Sequence, residues 1–103
     1  MKTLTLIVHT DTQQLIADIL RAMPRVKEFT FIHVEGHGTY DVDDPSCSAR
    51  DLVVGYAPHV RVDILLNDRD VDAVLDALRD SSDGNLAGRG IYWVTEAERQ
   101  GRL

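Results

Sequence analysis

The chain has 103 residues, of which 44% are hydrophobic and 27% are charged, and its formal net charge is -6. This length and composition predict one soluble globular domain, residues 1–103. The acidic balance argues against nucleic acid, because no basic stripe is available to neutralise phosphates. No apolar run reaches the ~18 residues of a membrane span, and the apolar start of the chain is too short for a signal peptide. We therefore expect a cytoplasmic protein without direct membrane insertion.

Four segments have the features of β-strands. Apolar and polar residues alternate over residues 3–9, 29–37 and 59–66, which is the period of a strand with one buried face. Residues 90–94 are rich in side chains that favour strands. The pattern predicts four strands of similar, short length.

Two segments have the apolar stripe of an amphipathic helix. The first begins at Thr10 or Asp11, which can cap it, and ends before Pro24; the second begins at Asn67 or Asp68. The resulting order, β-α-β-β-α-β, predicts an α+β, ferredoxin-like fold with one antiparallel sheet and two helices on one face.

A long loop between the second and third strands spans residues 38–58. Most connections in compact domains have about 4 to 6 residues, and longer ones are usually functional or disordered. We therefore expect this loop to carry the function and the remaining residues to hold it.

The sheet face away from the helices carries all four histidines in the register that the alternation predicts. It combines apolar and charged residues: Thr3, Thr5, Ile7, His9, Phe31, His33, Glu35, His37, His59, Arg61, Asp63 and Leu65. Such a mixed face on a small domain favours an oligomer interface in which charges pair between or beside subunits.

A metal site is the alternative interpretation of the same face. His33, Glu35 and His37 are spaced two residues apart, so on a strand their side chains share one face, and His59 and Asp63 have matching parity on the next strand. Imidazole and carboxylate groups suit zinc, copper or nickel. Paired interface charges would produce the same pattern.

Two segments resemble the ends of the large loop of PII signalling proteins. Val-Glu-Gly-His-Gly at residues 34–38 is similar to the Val-Lys-Gly-Phe-Gly that opens that loop, and residues 57–64 are similar to the Leu-Pro-Lys-Val-Lys-Ile-Glu-Ile that closes it. The chain looks like a short, divergent PII-like protein. The resemblance implies a homotrimer with inward-facing sheets and an adenine nucleotide in each cleft between subunits. It also implies that residues 39–56 dock on a partner, such as a transporter.

The resemblance assigns nucleotide-binding roles to two glycine-containing segments and to the C-terminal tail. The corresponding positions are Gly36, His37, Gly38, Thr39, Gly88, Arg89, Gly90, Arg99 and Arg102. Typical PII proteins have lysines after Leu-Pro and after Gly-Asp-Gly, whereas this chain has His59 and a Gly88-Arg89-Gly90 segment without a following lysine. Glycine amides and an arginine can still bind phosphate, although the tail arginines could equally solvate a frayed end.

The ligand and the partner are expectations from the same resemblance. With fewer cations to meet a γ-phosphate, AMP or ADP is expected to bind at least as well as ATP. Bicarbonate and a divalent metal are further candidate ligands. Related short proteins are associated with bicarbonate uptake and with heavy-metal efflux transporters, and the sequence does not choose between them.

Two other function classes were considered. An acylphosphatase-like enzyme would need glycine and arginine in the first strand–helix junction, and residues 8–12 contain neither. Nor is a nucleophile set or a Walker glycine loop readable, so we expect no enzymatic activity. A CutA-like metal-tolerance trimer would use the histidine-rich face, but such proteins normally lack so long a loop.

Overall fold

The computed structural model describes residues 1–37, 57–81, 86 and 90–103. It confirms the predicted α+β, ferredoxin-like fold: one four-stranded sheet in the order β2-β3-β1-β4, with antiparallel pairing throughout. The elements in chain order are β1 (Lys2–His9), a 3-10 turn (Thr10–Thr12), α1 (Gln13–Arg21), β2 (Phe29–Gly36), β3 (Ala57–Leu66), a second 3-10 turn (Asp68–Asp70), α2 (Val71–Arg79) and β4 (Gly90–Glu96).

The core lies between one face of the central strands and the two helices. Alternate residues of β1 and β3 point toward α1 and α2, and most of these side chains are almost completely buried: Leu4, Leu6, Val8, Val60, Val62, Ile64 and Leu66. Each helix contributes its apolar stripe to the same cluster. Burial of one such side chain contributes about 1.5 to 3 kcal/mol. The other face of the sheet, here called the open face, has no helix against it in the described part of the chain.

Both helices begin after a short 3-10 turn. The amide of Asp11 donates to His9 Nδ1 at 3.2 Å, and the Thr12 hydroxyl donates to the His9 carbonyl at 2.8 Å. His9 therefore caps the turn, and α1 begins at Gln13. The predicted capping role of Thr10 or Asp11 is wrong, because the preceding histidine accepts the free amide. α2 likewise begins at Val71, after Asn67 and the second turn.

The face assignment of β2 differs from the prediction. Phe29, Phe31 and His33 lie opposite Ile64, Val62 and Val60, and directly paired residues share a face. Phe31, His33 and Glu35 therefore lie on the helix side, not on the open face with His59 and Asp63. The open-face positions of β2 are Thr30, Ile32, Val34 and Gly36 instead.

The physical reason is that β2 is apolar on both faces. Phe29 and Phe31 lie on one face of β2, and Ile32 and Val34 lie on the other. Because both faces are apolar, period-2 alternation alone does not show which of them packs against the core. Phe29 and Phe31 contact each other edge to face, with ring centroids 5.7 Å apart, and pack against the core cluster. A one-residue error in parity moves every side chain of a strand to the opposite face.

The predicted loop over residues 38–58 is shorter at its C-terminal end. Ala57 pairs with Gly36 and Pro58 pairs with Glu35, so both residues belong to β3. Residues 38–56, including the segment 39–56 expected to dock on a partner, lie outside the described residues. Of the helices that the structure describes, none has the length and apolar character needed to cross a membrane.

Candidate functional site

The strand ends nearest to the loop define one end of the sheet. Because the strands are antiparallel, β1 ends at His9, β2 ends at Gly36, β3 begins at Ala57 and β4 begins at Gly90 at the same end. We call it the His9 end. The chain leaves the sheet here at Gly36 and re-enters it at Ala57 and at Gly90. The candidate site is therefore built on the strand ends at this position.

Two histidines face each other at the His9 end. His9 and His59 are directly paired across β1 and β3, and their rings meet edge to face with centroids 5.8 Å apart. His9 is buried, and its Nδ1 lies 3.4 Å from the Asp11 carboxylate. The same nitrogen accepts from the Asp11 amide, so in this hydrogen-bonding arrangement the ring proton of His9 is on Nε2.

The tautomer of His59 is likewise defined by a hydrogen bond of its Nδ1. Its Nδ1 lies 2.9 Å from the carbonyl oxygen of Ala57. A carbonyl oxygen can only accept, so Nδ1 carries the proton and donates it. In the neutral ring, Nε2 of His59 is then an acceptor.

Gly36 lies directly under the His59 ring. A Cβ added to Gly36 would be 2.1 Å from His59 Nδ1 and 2.8 Å from its Cγ, closer than real Cβ contacts come. The glycine at this position is thus required by a side chain of the same chain. This gives Gly36 a structural role besides the nucleotide-binding role that the resemblance implies.

The nucleotide-binding candidates are divided between two edges of the sheet. Gly36 ends β2 and Gly90 begins β4, and these are the two edge strands. Three inter-strand spacings separate them, about 14 Å or more. His37 follows Gly36 directly. Gly38, Thr39, Gly88 and Arg89 lie outside the described residues.

The C-terminal tail, which carries Arg99 and Arg102, leaves the sheet at the end opposite the His9 end. β4 ends at Glu96, whose carboxylate accepts a hydrogen bond from Lys2 and thereby raises the pKa of the Lys2 amine above its usual value. Arg99 and Arg102 follow this point and are exposed. Gly90 and Glu96 are the two ends of β4, so the tail begins about 20 Å from Gly90.

The metal-site candidates are not gathered around one point. Glu35 Oε2 lies 3.2 Å from His37 Nε2, and both side chains are exposed. His33 lies on the helix side of β2, opposite Val60. Across residues 1–37, 57–81, 86 and 90–103, no group of three His, Cys, Asp or Glu side chains is placed to hold a metal ion. The ligand set expected from His33, Glu35 and His37 is therefore not formed there.

A polar network at the centre of the open face was missed by the sequence reasoning. The Thr5 hydroxyl donates to Asp63 Oδ1 at 2.8 Å, and Arg61 Nε donates to Asp63 Oδ2 at 3.1 Å. The Arg61 guanidinium carbon lies 5.7 Å from the centroid of the Trp93 ring, which places a cation over an aromatic face. Thr5 is only 1% exposed as a result. The sequence did place Thr5, Arg61 and Asp63 on the same face of the sheet, and this shared parity was the feature that could have predicted the network.

Apolar side chains accompany this network on the same face. Ile7 pairs with Ile91, and Thr5 pairs with Trp93. Ile32, on the far edge strand, is 48% exposed and Ile91 is 63% exposed. The open face therefore has a hydrogen-bonded ionic centre with exposed apolar residues on both edge strands.

Residues 1–103, the whole chain, match the family described as "Protein of unknown function (DUF3240)". The chain belongs to the DUF3240 family. No curated protein matches it. A crystal structure of a DUF3240 family protein from Shewanella baltica OS155 is similar to this DUF3240 chain, with a TM-score of 0.76, 20% sequence identity, and coverage of 99% of this chain and 94% of that one. At this identity, the similarity concerns the fold.

Proposed function

We propose that this DUF3240 chain is a PII-like regulatory protein: a homotrimer that binds an adenine nucleotide between subunits and signals to a partner through residues 39–56. The observation that carries the proposal is the convergence of strand ends at the His9 end. Gly36 and Ala57, where the long connection leaves and re-enters the sheet, lie at the same end as Gly90. A ligand bound at this end would therefore lie next to the strand ends from which residues 39–56, the proposed partner-binding segment, extend.

The position of the two glycines supports a cleft between subunits. Gly36 and Gly90 lie on opposite edge strands of one sheet, about 14 Å or more apart. A single phosphate group cannot contact both within one chain, since hydrogen bonds to phosphate require about 3 Å. A cleft that joins the β2 edge of one subunit to the β4 edge of the next brings both glycines to one ligand.

The charge of the chain sets the expected nucleotide preference. The protein has a net charge of -6, so each added phosphate increases the repulsion that local arginines must overcome. Arg89, next to Gly90 in the sequence, is the candidate for the phosphate contact. AMP and ADP should bind at least as well as ATP, with micromolar or weaker affinity, which corresponds to ~8 kcal/mol or less.

Titration calorimetry with AMP, ADP and ATP tests the proposal. Arg89→Ala should weaken binding by ~1.5 to 3 kcal/mol, because it removes a charge-assisted hydrogen bond to phosphate. Arg69→Ala is the matched control, since Arg69 is an exposed arginine of the turn at the opposite end of the sheet. Absence of heat with all three nucleotides, together with saturable Zn²⁺ or Cu²⁺ binding, would reject nucleotide sensing.

The partner is proposed to be a transporter for bicarbonate or for heavy metals. Bicarbonate belongs in the same titration series, since a small anion could use the same arginine. Nucleotide-dependent retention of the transporter by the full chain, lost on deletion within residues 39–56, is the expected result. Equal retention of the transporter with and without nucleotide would argue against signalling.

A further inference from the structure

A cavity of about 250 Å³ lies between the sheet and the helices, on the side of β4. It is partly open to solvent, and the exposed Arg79 at the end of α2 is one of its lining residues. Among the described residues, its walls come from β1, both helices, Leu86 and β4, and they include Leu6, Val8, Ile16, Leu75, Leu78 and Tyr92. Gly90 also borders it, where a side chain would meet Val8 Cγ1 at 2.7 Å. The cavity thus lies beside the hydrophobic core.

Among the described residues that line the cavity, Arg79 supplies a cation. Arg79, the last residue of α2, lines the cavity, and its guanidinium carbon lies 5.5 Å from the centroid of the Tyr92 ring. The cation–π contact favours this position of the guanidinium, and its N–H groups can still donate. The site therefore combines an apolar interior with a planar donor for an anion.

We propose that this cavity binds a small amphiphilic carboxylate, with its apolar body inside and its carboxylate on Arg79. The volume limits the body to a single aromatic ring or a chain of about six to eight carbons, because a dry cavity of about 150 Å³ in another protein holds benzene and drug-sized ligands need 300 Å³ or more. The guanidinium fork matches a carboxylate in two hydrogen bonds. The charge of Arg79 selects an anion over a neutral compound of equal size.

This site shares Gly90 with the proposed nucleotide site but differs from it in position and composition. It lies on the helix side of the sheet and is formed by residues of one chain, whereas the nucleotide cleft requires two chains. Beyond Arg79 and Tyr92, the described lining residues have apolar side chains or, at Gly90, none, so the interior suits an apolar group better than a phosphate chain. Binding of a carboxylate here can therefore be measured whether or not a nucleotide binds.

The test is a titration of the full chain with benzoate and hexanoate, followed by ¹H–¹⁵N chemical shifts. Benzyl alcohol and hexanol serve as neutral probes of matched shape. We expect saturable shifts at Gly90, Ile91 and Tyr92. Arg79→Gln should weaken the binding of both carboxylates about 3- to 10-fold. The guanidinium–carboxylate pair that it removes is charge-assisted but partly screened by water. The neutral probes should bind this variant and the wild type equally.

Arg21→Gln is the matched control variant. Arg21 and Arg79 are each the exposed last residue of a nine-residue helix, so both substitutions remove the same interaction with the helix dipole. Only Arg79 lines the cavity. Unchanged carboxylate affinity in Arg79→Gln, equal losses in both variants, or no saturable shifts up to about 10 mM probe would overturn the proposal.

Discussion

Gly36 lies beneath the His59 ring, at a separation that leaves no room for a side chain. We predict that Gly36→Ala destabilises the fold by about 1 to 3 kcal/mol, the usual cost of overpacking. The methyl group must displace the ring and break the His59 hydrogen bond to Ala57. Loss of chain entropy in the unfolded state offsets this by only about 0.4 to 1 kcal/mol. Urea unfolding at fixed protein concentration measures the difference.

Two further variants separate the steric effect from a general effect of alanine. Gly101→Ala should be neutral, because an added Cβ there meets nothing within 4 Å. His59→Ala introduced into the Gly36→Ala chain should recover much of the lost stability, since it removes the ring that the methyl group meets. If the double variant is as unstable as the sum of both single variants, the ring contact is not the cause.

The same glycine shows what the sequence could reveal at the scale of a residue. The resemblance implies a nucleotide-binding role for Gly36, and the sequence pattern gave no sign of a side chain against it. The structure places the His59 ring against Gly36. A contact between residues 23 positions apart depends on strand pairing, which local pattern does not specify. For the same reason the Thr5, Arg61 and Asp63 network was not foreseen.

At the scale of elements, most of the fold followed from periodicity. In β1 and β3, every second residue is strongly apolar. The sequence therefore predicted both the strands and the faces that they bury. The helices were located by their stripes, although their starts moved to Gln13 and Val71 because a 3-10 turn precedes each. β2 was located correctly but assigned to the wrong face, and this error also placed His33 and Glu35 beside His59.

The orientation of β2 leads to a second prediction. Phe31→Ala should cost about 2 to 3 kcal/mol of unfolding free energy, at the low end for a phenylalanine because the ring is half-buried against the core. Ile32→Ala should cost about 0.5 kcal/mol or less in the isolated chain, since Ile32 is an exposed residue of the open face. Chemical denaturation of both variants over a range of protein concentrations checks this.

The dependence on concentration is informative in its own right. The Phe31 effect should stay constant, because the contact is within one chain. Any Ile32 effect should grow with protein concentration if the open face is buried between subunits, since association stabilises the folded state by mass action. A larger loss from Ile32→Ala than from Phe31→Ala at the lowest concentration would mean that the faces of β2 are reversed.

At the scale of the whole molecule, the two sides of the sheet have different surroundings. One side is covered by α1 and α2, whereas the other has an ionic centre with exposed apolar residues on both edge strands. Ile91 and Trp93 are 63% and 38% exposed there. Burial of this face between subunits would release apolar area from water at about 25 cal/mol per Å² and would keep the polar centre paired within each chain. This is the physical basis for expecting self-association through the open face; three subunits are what the resemblance to PII proteins implies.

The last prediction tests that assembly and the nucleotide cleft together. Sedimentation of the wild-type chain at micromolar concentration should give three times the 11.5 kDa chain mass. Ile91→Arg should dissociate the assembly and abolish AMP binding, because it places a charge on the open face beside Ile7. Val94→Arg is the control: Val94 lies on the same strand with 39% exposure but points to the helix side, so its trimer and its AMP affinity should persist. A wild-type monomer that still binds AMP would show that the nucleotide site lies within one chain. It would then have to be sought at Gly36 or at Gly90 separately.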